Sequence, residues 1–145
     1  YTGSCHCGAV IFAYYTDRVP AEWSIRACQC SFCRAHAALS TSDPAGQVEF
    51  AETKSGAMQR YRFAQRITDF LLCRECGVYV GAVIRTPTGH FGIINVNALR
   101  PIPAELAAAA PMNYASEAPG QRATRREERW TPVPERADQP PPEDL

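Results

Sequence analysis

The sequence predicts a mainly β domain held together by metal, with short helical segments and an extended C-terminal tail. Three observations predict it. Apolar residues alternate with period two, in runs rich in β-branched and aromatic side chains. Glycine, proline and aspartate punctuate those runs. All seven cysteines fall in three tight clusters: Cys5-His6-Cys7, Cys28-Gln29-Cys30-Ser31-Phe32-Cys33 and Cys73-Arg74-Glu75-Cys76.

Directly after the first cluster, Val10, Phe12 and Tyr14 alternate with Ile11, Ala13 and Tyr15, as a strand with two distinct faces requires. Trp23 and Ile25 lead into the second cluster, and Arg34 to Leu39 is expected to form a helical turn beyond it. Val48 and Phe50 mark the next strand, and Met58 to Phe63 alternate again. Phe70, Leu71 and Leu72 run into the third cluster. After it, Val78, Val80 and Ala82 oppose Tyr79, Gly81 and Val83, and Phe91, Ile93 and Asn95 oppose Gly92, Ile94 and Val96. Turns are expected at Ser42-Asp43-Pro44-Ala45-Gly46, Lys54-Ser55-Gly56 and Thr86-Pro87-Thr88-Gly89. Ala104 to Ala110 reads as a short helix opened by Pro103.

The composition shifts near Pro111. From there to Leu145 the chain carries seven of its twelve prolines, with mixed charge and few large apolar residues. The organisation expected is a metal-binding domain over 1–110 and a proline-rich, partly disordered tail over 111–145, with Pro140-Pro141-Pro142 extended. Within that tail, two readings of Arg122 to Trp130 stay open: a short charged helix whose Trp130 docks back on the domain, or a solvated charged segment.

The whole-chain numbers exclude several function classes. The 145 residues carry no net charge, and Lys54 is the sole lysine. Nucleic acid and anionic membrane both demand clustered positive charge, so neither is an expected partner. No apolar run approaches the roughly 20 residues that cross a bilayer. The chain opens at Tyr1 without a basic-then-apolar leader. A trimmed, soluble cytoplasmic protein is therefore expected.

The cysteines carry the chemistry. Seven is odd, which argues against a complete disulfide framework. A disulfide across one intervening residue is disfavoured by its geometry, whereas C-x-C and C-x-x-C bites converge on a metal. Cys28, Cys30 and Cys33 can give one zinc three ligands from a single loop. Cys5, Cys7, Cys73 and Cys76 then complete a four-thiolate site, and every cysteine is used once. Gly8 and Gly77 follow the two pairs and can take the positive φ that turns backbone amides toward sulfur. A four-thiolate zinc is closed, with a net charge of about −2. A three-thiolate zinc keeps a position open to water, histidine or a substrate thiol, which is the general form of a catalytic zinc. Two Zn2+ per chain are expected. Other arrangements stay open on the sequence alone. An iron–sulfur cluster would take a fourth ligand from another pair. His6, His36 or His90 would close the second site. Cys73-Arg74-Glu75-Cys76 would be a redox pair, although no βαβ pattern surrounds it.

Gly3-Ser4-Cys5-His6-Cys7-Gly8-Ala9-Val10, Cys28-Gln29-Cys30-Ser31-Phe32-Cys33-Arg34, Cys73-Arg74-Glu75-Cys76-Gly77 and the late run Phe91 to Leu99 resemble the glutathione-dependent formaldehyde-activating enzyme (GFA) family, which includes the centromere protein V group. The resemblance covers roughly residues 3 to 103. It implies a β-rich fold of the Mss4-like type, a structural zinc on Cys5, Cys7, Cys73 and Cys76, and a catalytic zinc on Cys28, Cys30 and Cys33. It also implies a carbon–sulfur lyase whose reaction adds glutathione to formaldehyde, so a small-molecule thiol such as glutathione is the expected partner. Arg26, Arg34, Arg62, Arg66 and Arg74 are candidates for its carboxylates, by charge and proximity in sequence. His36, Ser31 or a bound water is the candidate proton carrier. The competing reading is a non-catalytic zinc-stabilised protein-binding module, with Arg125 to Trp130 in the contact surface.

Overall fold

In the computed structural model, which describes residues 1–135, the alternating runs become strands. These are β1 (Thr2–Ser4), β2 (Val10–Tyr15), β3 (Arg26–Cys28), β4 (Ser40–Thr41), β5 (Gln47–Glu52), β6 (Met58–Tyr61), β7 (Thr68–Cys73), β8 (Tyr79–Thr86), β9 (Gly89–Asn95), β10 (Ala110–Met112) and β11 (Thr131–Val133). Two short α-helices, α1 (Ser31–Ala35) and α2 (Pro119–Arg129), complete the described part, which is mainly β as expected.

β1, β2 and β5 form one antiparallel sheet. The larger sheet runs β10-β3-β4-β9-β8-β7-β6. Its pairs are antiparallel except β10, which lies parallel to β3. One edge of β9 is taken along its length by β8; the other is shared, with β4 at Ile94 and Asn95 and β11 at His90, Phe91 and Gly92.

The period-two pattern decides which face meets the core. Val10, Phe12 and Tyr14 are buried, whereas Ile11 and Tyr15 are exposed. The buried face of β2 packs with Val48, Phe50, Leu71, Val80 and Ile94. Each such side chain contributes about 1.5–3 kcal/mol by leaving water. Gly81 lets β8 pass under Phe50. A Cβ there would stand 2.8 Å from the Phe50 ring and 2.4 Å from the Ile93 carbonyl. A second cluster of Ala38, Phe70, Tyr79, Ala82, Ile84, Ile93 and Trp130 lies beside the second cysteine group, with Phe32 and Cys33 packed against it.

Three local expectations are revised. Ala104 to Ala110 is not helical. Ala107 donates its N–H to Pro20 and Ala110 to Ile25, so neighbouring backbone wins over alanine's helix propensity. The helical turn expected over Arg34 to Leu39 begins earlier, at Ser31, because Cys30 caps it: its Sγ accepts from the Cys33 N–H at 3.4 Å. The turn is over by Ala37, whose φ is 46°. The expected division between residues 110 and 111 falls inside β10, and the chain beyond it continues through α2 to β11. Pro119 opens α2 and Gln121 Oε1 accepts from the Ala118 N–H at 3.1 Å, half of a capping box. Of the two readings of Arg122 to Trp130, the structure shows the docked helix: Trp130 is 5% exposed. Pro140-Pro141-Pro142 lies outside the described residues. No helix among the described residues is long and apolar enough to cross a membrane.

Candidate metal centres

Cys5 and Cys73 are reached by two turns of the same construction. Cys5 N donates to Val10 O at 2.9 Å and Cys73 N to Val78 O at 2.9 Å, so each cysteine closes a loop onto the residue five further on. Gly8 and Gly77 turn these loops with φ of 79° and 76°. Nothing stands within 4 Å of a Cβ added at either, so glycine is required there by conformation and not by space. The strands β2 and β7 thereby bring Cys5, Cys7, Cys73 and Cys76 together. Cys7 Sγ lies 3.6 Å from both Cys5 Sγ and Cys73 Sγ. Four sulfurs on a tetrahedral ion with 2.3 Å bonds stand about 3.8 Å apart, so the cluster has the size of a metal site. Cys5 Sγ also accepts from the Val10 N–H at 3.3 Å. Burial pushes the Cys73 thiol up to about 12. At Cys76 burial acts in the same sense, but the amides of Val78 and Cys7 outweigh it and hold the thiol down at about 6. Sulfurs crowded this closely share protons until a cation replaces them.

The second cluster is Cys28, Cys30 and Cys33, carried by the end of β3 and the first turn of α1. A hydrogen bond from Cys33 holds the Cys28 thiol down to about 5 against the effect of burial, and the same bond, with burial, drives Cys33 upward. Each cluster has ligand atoms within 4.8 Å of one another, and each can hold a metal ion. All seven cysteines are free thiols. The ligand counting made on the sequence therefore matches the clusters the fold assembles.

The two clusters differ in what they face. Cys28, Cys30 and Cys33 line a cavity of about 580 Å3, and the four-cysteine cluster does not. One wall of it is apolar, with Phe63, Phe70, Tyr79 and Ile93. Burial first, then the three sulfurs, keep the Tyr79 phenol protonated far above its usual range. Another wall is the loop between β6 and β7, where Ala64 and Arg66 take φ of 52° and 56°. For residues with a Cβ this left-handed backbone costs about 1–2 kcal/mol each. The roof is α2, which presents Arg122, Arg125 and Arg126, and Tyr114 sits beside it with the Arg125 guanidinium 3.9 Å over its ring.

The histidines do not join the sulfurs. Among the described residues the metal-ligand groups contain cysteine alone. The His36 ring packs 4.5 Å from Phe32, His6 is exposed, and His90 lies on β9. Of the five arginines singled out in the sequence, Arg26 and Arg66 line the cavity. Arg34 is exposed on α1, Arg62 pairs with Asp69, and Arg74 donates to Gly56 O at 3.2 Å. Sequence reasoning missed Arg122, Arg125 and Arg126, although one of its two readings there was a charged helix ending in a docked tryptophan. That docking was the available signal, since a helix anchored by Trp130 must lay its neighbouring turns on the domain.

Two comparisons place the chain among known proteins. The family model described as glutathione-dependent formaldehyde-activating enzyme matches residues 1–115, and the chain belongs to that family. A crystal structure of a Rhodobacter sphaeroides protein shares the fold, with a TM-score of 0.57 and 24% identity over 76% of this chain and 100% of that one.

Proposed function

We propose that this family member is a zinc-dependent carbon–sulfur lyase acting on a thiol adduct, joining glutathione to formaldehyde as S-hydroxymethylglutathione and parting them in the reverse direction. The asymmetry of the two clusters carries the reading. Four sulfurs complete one tetrahedral site away from the cavity, whereas three sulfurs line the cavity and leave an ion one ligand short. Cys5, Cys7, Cys73 and Cys76 then hold a structural zinc, and Cys28, Cys30 and Cys33 a catalytic one. Zinc at the three-cysteine site supplies Lewis-acid stabilisation of a substrate sulfur as thiolate at neutral pH.

The chain's own residues do the rest. Phe63, Phe70 and Ile93 keep water from one side of the sulfur, which preserves its nucleophilicity. The thiolate gives its electron pair to the aldehyde carbon, the carbon–sulfur bond forms, and the carbonyl pair moves to oxygen, which takes a proton. Neither His36 nor Ser31 lines the cavity, so water entering at the mouth is the favoured proton carrier. The reverse step returns that proton and expels formaldehyde. Seven free thiols suit the cytoplasm, where the thiol pool keeps them reduced.

Exchange of 13C-formaldehyde between free and glutathione-bound forms, followed by NMR, tests the reading. The zinc-loaded protein should speed the exchange, and Cys30→Ser should not. A wild-type protein holding two zinc ions that leaves the exchange rate unchanged would remove the lyase assignment.

A further inference from the structure

Five arginines line the cavity; Arg66, on the loop between β6 and β7, is exposed, and the other four are Arg26 from β3 and Arg122, Arg125 and Arg126 from α2. These four are only partly exposed. Among the described residues, Glu117 is the carboxylate found in ion pairs with them. It accepts from Arg125 at 2.7 and 3.0 Å and lies 3.5 Å from Arg122. Arg26 and Arg126 are held by hydroxyls instead, those of Ser42 and Thr68. The Nε of Arg126 is enclosed without an acceptor, and the Nε of Arg122 has only the Glu117 carboxylate at 3.5 Å. On the loop between β6 and β7, which also lines the cavity, Gln65 Oε1 is enclosed without a donor.

The charge does not balance within the chain. Burial first, then Arg125 and Arg122, press the Arg126 guanidinium down to about 10, and burial lowers Arg26 as well. The three-thiolate site offers one answer, since Cys28 lies close enough to act on Arg126. With a divalent ion bound, however, three thiolates carry only about −1, so Glu117 and the cluster together leave the four partly buried arginines with an excess of about two positive charges. An enclosed, unpaired N–H on a crowded cation such as Arg126 is costly unless a ligand supplies an acceptor.

We infer that α2 is the substrate-recognition wall of this cavity: Arg126, with Arg122 and Arg26 beside it, binds a carboxylate of the thiol substrate, and Gln65 Oε1 accepts an N–H from the same molecule. The ligand class is a peptide-like thiol bearing a carboxylate, and neutral thiols are excluded from it. α2 begins at Pro119, beyond the residues matched by the family model, so this wall belongs to the chain's own C-terminal segment. The inference rests on the lyase reading for the sulfur end alone.

The test measures binding of S-methylglutathione and of its diethyl ester to the full chain by calorimetry at low salt. The wild type should hold the free acid about tenfold or more tightly than the ester, the effect of one charge-assisted pair. Arg126→Gln should remove that preference, and Arg126→Lys, which keeps the charge but loses the fork, should restore only part of it. Equal binding of both ligands by the wild type, or a preference that survives Arg126→Gln, overturns the inference. Were Arg126→Gln unable to fold, the two ligands on the wild type decide alone, with the preference shrinking as salt rises. Turnover separates the two readings. Acid preference without formaldehyde exchange keeps the wall and removes the lyase; equal exchange rates for glutathione and its diethyl ester keep the lyase and remove the wall.

Discussion

Cys7 and Cys73 stand 66 positions apart in the chain, yet their Sγ atoms lie 3.6 Å from each other. On the proposed reading, a metal bound between them would close that loop and join β2 to β7. Structural zinc binding supplies folding free energy of about 10–16 kcal/mol. Cys73→Ser should therefore unfold much of the domain at ordinary temperature. Far-ultraviolet circular dichroism of the variant, and of the wild type treated with a strong chelator, checks this. A compact Cys73→Ser protein with native spectrum would contradict the structural role.

Cys30→Ser should behave differently. Cys30 sits on the cavity side and caps only the short α1. The variant should keep its fold, retain one zinc per chain and lose formaldehyde exchange. Metal analysis combined with near-ultraviolet dichroism reads both parts. Global unfolding of this variant would make the second site structural.

Glycine replacements separate conformation from space. Gly77→Ala places a Cβ in open surroundings at a φ of 76°, and should cost about 1 kcal/mol. Gly3→Ala places a Cβ 2.1 Å from the Phe12 ring and 2.6 Å from the Ala98 carbonyl, both in the core, and should cost more than Gly77→Ala. Denaturant midpoints for the two variants would show the order, and the reverse order would count against this account of the turns.

Glu117 gives a pH signature. The hydrogen bond from Arg125 holds its carboxyl below the usual value of 4.5. A depressed folded value stabilises the protein above the unfolded value, and that contribution is lost as pH falls through the folded one. The melting temperature of the wild type should exceed that of Glu117→Gln near pH 6, and the gap should close as pH drops below about 4.5. A gap independent of pH would mean that the ion pair does not anchor α2.

Trp130→Ala removes a side chain that is 5% exposed and packs in the second cluster. The expected loss is about 3–5 kcal/mol. Hydrogen exchange should show the amides of α2 opening before those of β7 and β8. Uniform loss of protection across the domain would show that α2 and the sheet are a single cooperative unit.

What the sequence disclosed follows from how far each signal reaches. The strands over Val10 to Tyr15 and Phe91 to Asn95 were legible because alternation is a local property of a half-buried strand. The division of the cysteines was legible because ligand counting needs no coordinates. Ala104 to Ala110 misled because alanine favours helix wherever nothing else claims its backbone, and here Pro20 and Ile25 claim it. Arg122, Arg125 and Arg126 were not read as site residues because a tryptophan that docks its helix on the domain does not say which surface the helix covers; they come within reach of Cys28 only once α2 is in place. Gln65 was hidden because nothing local to the loop between β6 and β7 shows that it lines a cavity.

The shared edge of β9 has one more consequence. β4 covers only Ile94 and Asn95, so His90, Phe91 and Gly92 would otherwise present open backbone donors and acceptors along an apolar stretch. β11 occupies that stretch. Unpaired edges of this kind recruit strands from other molecules. Clipping the chain ahead of Thr131 would thus leave a sticky β margin, and the shortened protein would self-associate and precipitate even with both cysteine clusters intact.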